Sequence, residues 1–397
     1  MSTIQIWRTV EIPDSLRLAR HARAPELGPR ILFFSGGTAL KKVSRRLKHY
    51  THNSIHLITP FDSGGSSATL RAAFRMPSVG DLRNRLMALA DESVQGNPEI
   101  YALFAHRFST VASPESLSEN LDAMIRGRDS MISKIPDPMR KIIRTHLRYF
   151  RERMPPDFDL RGASIGNLIL TGGYLANGHH LDPVIFLFSK LVEARGVVRP
   201  IVGANLHLIA ELEDGTRVQG QHRITGKDAP PIQSPVADLY LSATLGPIEP
   251  GRVAIRDKVR GLIAQAELIC YPIGSFYSSL IANFLPRGVG QAISQNGAPK
   301  VYVPNSGHDP EQIGMTVERC VMTLIKHLHR GTPKALPTSR LLNFILVDTK
   351  RGVYPEPFSP KAIERMGVRV LDTELVTDES APYYDAAKLA EALISLT

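Results

Sequence analysis

The sequence predicts an α/β fold, a Rossmann-like three-layer sandwich in which helices cover both faces of a mostly parallel sheet. The prediction rests on a unit that recurs along the chain, in which an apolar run leads through a glycine turn into helical spacing. Residues 31–34 run into the turn 35–38, and residues 268–271 run into the turn 272–275. A third apolar run, 55–59, is followed by another loop of small residues. Short apolar runs that alternate with amphipathic helices are typical of buried parallel strands.

Length and composition indicate a globular chain with a large core. The chain has 397 residues, of which 43% are hydrophobic and 22% are charged, as in ordinary soluble domains. Its formal net charge of +10 favours negatively charged partners such as nucleotides or acidic proteins. Cys270 and Cys320 are too few for a disulfide framework. The scarcity of cysteine and the lack of a secretion signal predict a cytoplasmic protein. The lack of a long apolar run predicts that the chain has no membrane span.

Two parts of the chain depart from the alternation of strands and helices. Residues 1–30 are polar and rich in arginine, and we expect them to form an N-terminal arm on the domain that spans 31–397. Residues 91–160 show helical periodicity with hardly any strand signal, which predicts an all-helical insertion. Within it, the pair Asp137-Pro138 predicts an N-cap and a first-turn proline, followed by a helix to about Met154.

The helix predicted over 138–154 is basic and amphipathic. Its arginines recur three and four residues apart on one face, as Arg140, Arg144, Arg148 and Arg151. Three interpretations stay open: a solvated face, a docking surface for an acidic protein partner, or a lid over a ligand cleft. A nucleic-acid partner is disfavoured because one short basic stripe lacks an aromatic stacking platform.

After residue 163 the α/β pattern resumes. The expected elements are helices from 165 and over 182–194, a strand at 198–202, a helix at 253–266, a helix over 276–285, and strands at 300–303, 341–347 and 368–371. Between them, residues 206–212 and 216–224 flank the turn Asp214-Gly215. Two alternating runs around such a turn predict a β-hairpin.

The glycine turns predict a ligand site at the carboxyl edge of the sheet. A turn that opens a helix leaves backbone N–H groups unpaired, and the helix dipole favours an anion there. Because open α/β sheets bind ligands where neighbouring strands end, we expect the loops to converge on one phosphate-containing molecule. The candidates for ligand contact are Ser35, Gly36, Gly37, Thr38, Gly64, Gly65, Ser66, Ser67, Asn84, Asn167, Gly274, Ser275, Ser278 and Ser279. The alternative is structural, since glycine turns join strands to helices in most α/β proteins and asparagine often caps a helix.

Asp62 and Asp81 are the acidic candidates for catalysis and for a metal ion. Mg²⁺ needs only one or two carboxylates when phosphates supply the other oxygens, so these two can suffice. The alternative is that each caps a turn or a helix. The dinucleotide fingerprint and the P-loop pattern are both absent from the sequence. No flavin or NAD is therefore expected as a bound redox cofactor.

Six spaced motifs lie along the chain, and a further similarity near its end, in GVRVLDTELV and YYDAAKLAEAL, extends the pattern over most of the chain from residue 31. The six motifs are SGGTAL at 35–40, DSGGSSATLR at 62–71, GDLRNRL at 80–86, SIGNLIL at 164–170, PIGSFYSSLIANFL at 272–285 and VYVPN at 301–305. In this order they resemble the CofD-like superfamily of 2-phospho-L-lactate transferases and uridine-diphosphate-sugar-binding gluconeogenesis factors. The resemblance implies that residues 35–38 and 274–279 embrace the diphosphate of a nucleotide-linked ligand. It also implies that Asn167 and Asn305 line the same cleft.

The resemblance implies two functions, which the sequence separates in part. In the transferases a phospholactyl group is joined to the hydroxyl of a deazaflavin precursor, with loss of a nucleoside monophosphate and help from magnesium. This chain keeps Asp81 but has Arg83 where that branch has a second aspartate. We therefore expect a divergent member that binds a nucleotide-diphosphate-linked ligand, such as a UDP-sugar, in a metabolic or regulatory role. The alternative is a magnesium-assisted enzyme that moves a phosphoester group from a nucleotide-activated donor to a hydroxyl acceptor. A homodimer is left open.

Overall fold

The computed structural model describes residues 9–93, 96–226, 229–246, 251–333 and 335–397. The first eight residues of the predicted N-terminal arm therefore lie outside the described residues. The strands are β1 (Ile31–Ser35), β2 (Ile55–Ile58), β3 (Val197–Pro200), β4 (His207–Leu212), β5 (Arg217–Gln219), β6 (Val236–Ser242), β7 (Leu268–Tyr271), β8 (Lys300–Tyr302), β9 (Phe344–Val347) and β10 (Arg369–Asp372).

The helices follow in the same chain order. They are α1 (Ser15–Arg23), α2 (Lys41–Leu47), α3 (Gly65–Phe74), α4 (Gly80–Leu89), α5 (Pro98–Ala105), α6 (Pro114–Arg126), α7 (Ser130–Ser133), α8 (Met139–Arg153), α9 (Ile165–Ala176), α10 (Leu181–Leu191), α11 (Gln221–Ile224), α12 (Asp257–Ala264), α13 (Val289–Gln295), α14 (Val317–Leu328), α15 (Pro360–Arg365) and α16 (Ala386–Ser395). Short 3-10 helices span Pro25–Leu27, Ile281–Phe284, Pro310–Gln312 and Thr338–Arg340, and a π-helical turn spans Phe276–Leu280.

Seven strands form one parallel sheet, which confirms the predicted α/β class. Their order is β10-β9-β8-β7-β1-β2-β3, and every neighbouring pair is parallel. β1 lies near the centre, where Phe33 is opposite His56 of β2 and Cys270 of β7. Every residue of β1 is buried because helices cover both faces of a parallel sheet. This arrangement is the three-layer sandwich that the apolar runs predict.

A small antiparallel sheet has the order β5-β4-β6. The hairpin predicted around Asp214-Gly215 is confirmed, with Glu211 of β4 opposite Arg217 of β5. The prediction that the returning strand reaches residue 224 is wrong. Gly220 takes a φ of 94°, and helix α11 begins directly after it, because a positive φ turns the chain out of the extended conformation. β6, which pairs with β4, was not predicted.

The predicted helical segment over 91–160 contains α5 to α8, and its described residues include no named strand. Its buried side chains, among them Phe104 and Phe150, share one hydrophobic core with α4, α9 and α10. α8 packs very closely on α9, since a Cβ atom on Gly172 would lie 1.9 Å from the carbonyl oxygen of His146. The division of the chain into arm, domain and insertion stays a prediction.

The start of α8 differs from the prediction. Pro138 takes the N-cap position and Asp137 does not cap the helix. The Asp137 carboxylate instead accepts a hydrogen bond from the Arg140 guanidinium, with 3.0 Å between Oδ2 and Nη2. A local ion pair has therefore replaced the expected cap.

The arginine stripe of α8 is used largely inside the helical segment. Arg144 Nε donates to the carbonyl oxygen of Ile125 at 2.8 Å, and Arg151 pairs with Asp122 at 3.1 Å. Arg148 is exposed. The basic face thus serves in part to attach α8 to α6, which sequence periodicity cannot distinguish from a free docking surface.

The described part of the N-terminal arm packs on the end of the chain. The Asp14 side chain caps α1, and the Asp14 N–H donates to Ser395 Oγ at 2.8 Å. Arg17 also reaches Thr397, with 3.4 Å between Nη1 and Oγ1. Among the helices of the described ranges, none is long and apolar enough to cross a membrane.

Candidate functional site

A cleft of about 390 Å³ opens at the carboxyl ends of β1, β2 and β7. The chain runs from β1 to β2 and β3 on one side, then returns on the other side with β7 to β10. This reversal is the topological switch point at which open α/β sheets bind ligands. Most of the predicted site residues line the cleft: Ser35, Gly36, Gly37, Thr38, Asp62, Gly64, Asp81, Asn84, Gly274, Ser275 and Ser279.

The first glycine turn, residues 35–38, fits tightly between α4 and the π-helical turn that follows the second glycine turn. A Cβ atom on Gly37 would lie 2.1 Å from Asp81 Oδ1, and one on Gly36 would lie 2.5 Å from Ser279 Oγ. Close approach therefore requires glycine at both positions. The buried Arg85 guanidinium donates to the carbonyl oxygen of Gly36 at 3.0 Å, which ties the turn to α4.

Asp62 has one oxygen in a local turn and the other directed to α4. Its Oδ1 accepts a hydrogen bond from the Gly64 N–H at 3.2 Å, so the capping alternative holds for that oxygen. Its Oδ2 would lie 3.3 Å from a Cβ atom on Gly80. Arg71 of α3 fixes the loop from behind by donating to the carbonyl oxygens of Phe61 at 2.9 Å and Asp62 at 3.2 Å.

Two buried arginines lie behind the carboxylates of the cleft. Burial lowers the pKa of Arg71 and of Arg85 to about 10, and the charge of a nearby carboxylate opposes this effect, Asp62 for Arg71 and Asp81 for Arg85. A guanidinium with a pKa of about 10 is protonated at neutral pH. Each carboxylate therefore compensates a positive charge that the fold has buried.

A group of small polar side chains lies beside the cleft lining. Asn167 Nδ2 lies 3.5 Å from Ser66 Oγ, and a Cβ atom on Gly80 would lie 2.5 Å from Ser67 Oγ. Asn167 Oδ1 is buried and has no hydrogen-bond partner within the described ranges. Gly65 begins α3 with a φ of 45°. Gly65, Ser66, Ser67 and Asn167 are not among the residues that line the cleft, and their contact with a ligand stays a prediction.

Two buried carboxylates hold residues 276–278, which directly follow the second glycine turn, residues 272–275. The Phe276 N–H donates to Asp309 Oδ2 at 3.0 Å, and the N–H groups of Tyr277 and Ser278 both donate to Glu311 Oε2 at 2.8 Å. The Ser278 hydroxyl donates to the same Glu311 carboxylate. Ser278 therefore faces the protein interior, contrary to the prediction that it contacts the ligand.

Asn305 also holds the second turn and is not part of the cleft lining. Its Nδ2 donates to the carbonyl oxygen of Gly274 and its Oδ1 accepts from the Gly274 N–H, both at 2.8 Å. Gly274 has a φ of 140°, which side chains disfavour. Asn305 Nδ2 also donates to Asp309 Oδ2 at 3.0 Å, so its amide is used to hold the turn, and its contact with a ligand stays a prediction.

The carboxylates beneath the second turn carry raised pKa values. Burial raises the pKa of Asp309, against the effect of the backbone N–H groups that it accepts. Burial and the neighbouring Asp309 raise the pKa of Glu311 to about 7. The pair therefore gains a proton near neutral pH while its hydrogen bonds keep the turn in place.

The family model described as 2-phospho-L-lactate transferase CofD matches residues 31–376 of this chain. The chain belongs to the CofD family. The match begins at β1 and includes every residue that lines the cleft.

Relatives of this CofD family member include the gluconeogenesis factors of two bacteria. That of Bacillus subtilis (strain 168) is 27% identical over 382 residues, which cover 93% of this chain and 98% of that protein. That of Listeria monocytogenes serovar 1/2a is 27% identical over 94% of this chain and 96% of its own length. A crystal structure of a UPF0052-family protein from Bacillus halodurans matches with a TM-score of 0.65 at 24% identity, covering 92% of this chain and 99% of that one. The structural likeness confirms the fold.

One wall of the cleft in this CofD family member was missed by the sequence analysis. It consists of Gln221, His222 and Thr225, from α11 and the residue after it. His222 Nδ1 lies 2.9 Å from Ser63 Oγ, which also accepts a hydrogen bond from the His222 N–H at 3.2 Å. The contact joins the Asp62 loop to the small antiparallel sheet. The available signal was a polar run directly after Gly220, which the sequence analysis assigned to a strand.

The donor set of the cleft suits a magnesium ion that shares its coordination with a ligand. Asp62 and Asp81 are the two carboxylates of its lining. The described residues contain no group of three or more His, Cys, Asp or Glu that could hold a metal ion by itself. Mg²⁺ commonly binds through one or two carboxylates together with phosphate oxygens. The residues present therefore fit a metal that arrives with, or is completed by, a phosphate ligand.

Proposed function

We propose that this CofD family member binds a nucleotide-diphosphate-linked ligand, such as a UDP-sugar, between its two glycine turns. The observation that carries the proposal is the meeting of three strand-end loops at the switch point of the sheet, where such sheets bind nucleotides. A volume of about 390 Å³ suits a small molecule. The names of the relatives support a metabolic or regulatory role.

The lining of the cleft suits phosphate binding by neutral donors. Thr38, Ser275 and Ser279 present hydroxyl groups and Asn84 presents an amide, whereas the described residues that line the cleft include no lysine or arginine. Neutral donors hold phosphate oxygens without supplying positive charge. Because Asp62 and Asp81 already compensate the buried arginines, the charge of the ligand would be balanced by a bound cation.

The alternative proposal is a transferase that moves a phosphoester group from a nucleotide-activated donor to a hydroxyl acceptor. The observation that favours it is the presence of Asp62 and Asp81 in the same lining as the glycine turns. Asp62 and Asp81 would hold Mg²⁺, and the chemistry it would supply is neutralisation of charge on the phosphate oxygens. The turns would align donor and acceptor, and positioning of this kind accounts for much of the catalysis of phosphoryl transfer.

Calorimetric titration with UDP-glucose tests the binding proposal. We expect saturable binding that Thr38→Ala weakens about tenfold, because a hydrogen bond to a charged phosphate is lost. The matched control Thr145→Ala removes a threonine hydroxyl of α8 that bonds within its own helix and should leave the affinity unchanged. The proposal is refuted if neither UDP-glucose nor UDP binds and mass spectrometry of the natively purified protein finds no retained nucleotide.

A second assay separates the binding protein from the enzyme. The protein is incubated with a nucleotide-linked donor, Mg²⁺ and a panel of hydroxyl acceptors, and released nucleoside monophosphate is measured. Release that requires both Mg²⁺ and an acceptor favours the transferase. Tight binding without release favours the binding protein.

A further inference from the structure

A second cavity, of about 800 Å³, lies on the outer side of α2. It is bounded by α2, by residues 91–93 after α4 and by the segment 379–387 that leads into α16. Its cationic and imidazole side chains are Lys42, Arg45, Arg46, Lys48, His49 and Arg195. Within the described residues it shares no lining residue with the ligand cleft. We call this cavity the basic pocket.

Two acidic residues of the basic pocket are engaged with its cations. Glu92 pairs with Arg45 at 3.0 Å and with Lys48 at 3.5 Å. Asp91 pairs with Arg195 at 2.6 Å. These pairs fix the positions of three basic side chains and leave other cations of the pocket without a counterion.

Lys42 and Arg46 are the cations that remain. They are exposed and lie one helical turn apart on α2. In the described part of the chain, no carboxylate lies within ion-pair distance of either. The Asp385 carboxylate caps α16 by accepting from the N–H groups of Ala387 and Lys388. Glu379 is the fourth acidic residue of the lining. The lining has five lysine and arginine side chains and four carboxylates, an excess of one positive charge, and the two unpaired cations lie together on α2.

Arg45 is held in place at the lining of the basic pocket. Its Nη2 donates to Glu92 at 3.0 Å and to the Tyr101 hydroxyl at 2.8 Å, but its buried Nε has no hydrogen-bond partner among the described residues. Burial lowers the pKa of Lys48, and Glu92 opposes that effect.

We propose that the basic pocket is a second binding site, which takes a small phosphate-bearing polyanion. Lys42 and Arg46 supply unpaired positive charge, and the Arg45 side chain, which Glu92 and the Tyr101 hydroxyl hold in place, lines the same cavity. Arginine and lysine together are the side chains with which proteins bind phosphate groups. The concave shape and the volume of about 800 Å³ suit a molecule of nucleotide size.

Lysine footprinting with inorganic pyrophosphate tests the proposal directly. The rates at which an acetylating reagent modifies Lys42 and the exposed Lys361 of α15 are measured by peptide mass spectrometry, with and without pyrophosphate. We expect protection of Lys42 but not of Lys361, and we expect added salt to weaken it. Because the described lining of the ligand cleft contains no lysine, protection of Lys42 does not report occupancy of that cleft. It should persist with UDP-glucose present.

Matched charge variants give the deciding comparison. Arg46→Glu should raise the pyrophosphate concentration needed to protect Lys42 about tenfold or more, and the milder Arg46→Gln should act in the same direction. The control Arg20→Glu makes the same change of charge on the exposed face of α1 and should have no effect. Absence of protection in the parent, or equal weakening by Arg46→Glu and Arg20→Glu, would overturn the proposal.

Discussion

Glu311 is a buried carboxyl group whose charge should destabilise this protein at neutral and alkaline pH. It is 1% exposed and accepts the N–H groups of Tyr277 and Ser278 beneath the second glycine turn. In Glu311→Gln the amide oxygen can still accept those N–H groups, and the amide nitrogen can donate to the Ser278 hydroxyl. The substitution therefore removes a charge while keeping the shape and the hydrogen bonds.

The sign and size of the effect follow from the pKa. Burial and Asp309 raise the pKa of Glu311 from 4.5 to about 7 in the folded protein. A group that holds its proton more tightly when folded makes the protein lose stability as pH rises from the unfolded pKa to the folded one. The loss is complete above about pH 7 and corresponds to about 3 kcal/mol in the free energy of unfolding. Below the unfolded pKa, the parent and the variant should have equal stability.

Urea denaturation over a range of pH measures this difference. We expect Glu311→Gln to match the parent at about pH 4 and to exceed it by up to about 3 kcal/mol at about pH 8. The control Glu364→Gln removes an exposed carboxyl group of α15 and should follow the parent throughout. A difference that does not change with pH, or a variant that is less stable than the parent at alkaline pH, would refute the reasoning.

Three further predictions concern the cleft and the basic helix. Gly274→Ala should weaken UDP-glucose binding about tenfold in calorimetry, because the φ of 140° disfavours a side chain and the second turn must shift; unchanged affinity would contradict this. Asp62→Asn should lower any magnesium-dependent release of nucleoside monophosphate far more than it lowers ligand affinity, and equal losses would argue against a role for its charge in transfer. Arg148→Glu should leave UDP-glucose affinity within about threefold but weaken salt-sensitive capture of an acidic protein in pull-downs, whereas identical partner profiles would favour a solvated face.

The central strands and the glycine turns could be predicted because their signals are local. Each inner strand of a parallel sheet is buried on both faces, so β1 and β7 appear in the sequence as uninterrupted apolar runs. The turns follow the strand ends directly, which places their residues at one edge of the sheet without further information. The motif order then indicated the family, and the match over residues 31–376 confirms it.

The supports of the site could not be predicted because their contacts join distant parts of the chain. Asp309 and Glu311 lie more than thirty residues beyond the turn that they hold, and neither belongs to a pattern that marks a buried carboxylate. Arg71 and Arg85 stand within recognised motifs, yet periodicity alone suggests exposed cations on α3 and α4. β6 was missed for the same reason, since its partner β4 lies more than twenty residues earlier.

The buried arginines change how the two acidic residues of the cleft should be interpreted. Asp81 lies against Gly37. Its charge opposes the effect of burial on the pKa of both Arg85 and Arg83, so it is part of what allows the fold to bury those guanidinium groups. Removing one partner of a buried charge pair leaves the other buried without a counterion and destabilises the protein strongly. Asp62 compensates Arg71, whose guanidinium also has several carbonyl acceptors. Instability alone would therefore explain a loss of activity in an Asp81 variant. At Asp62, by contrast, a specific loss of magnesium-dependent transfer would report on the role of the carboxylate in that reaction.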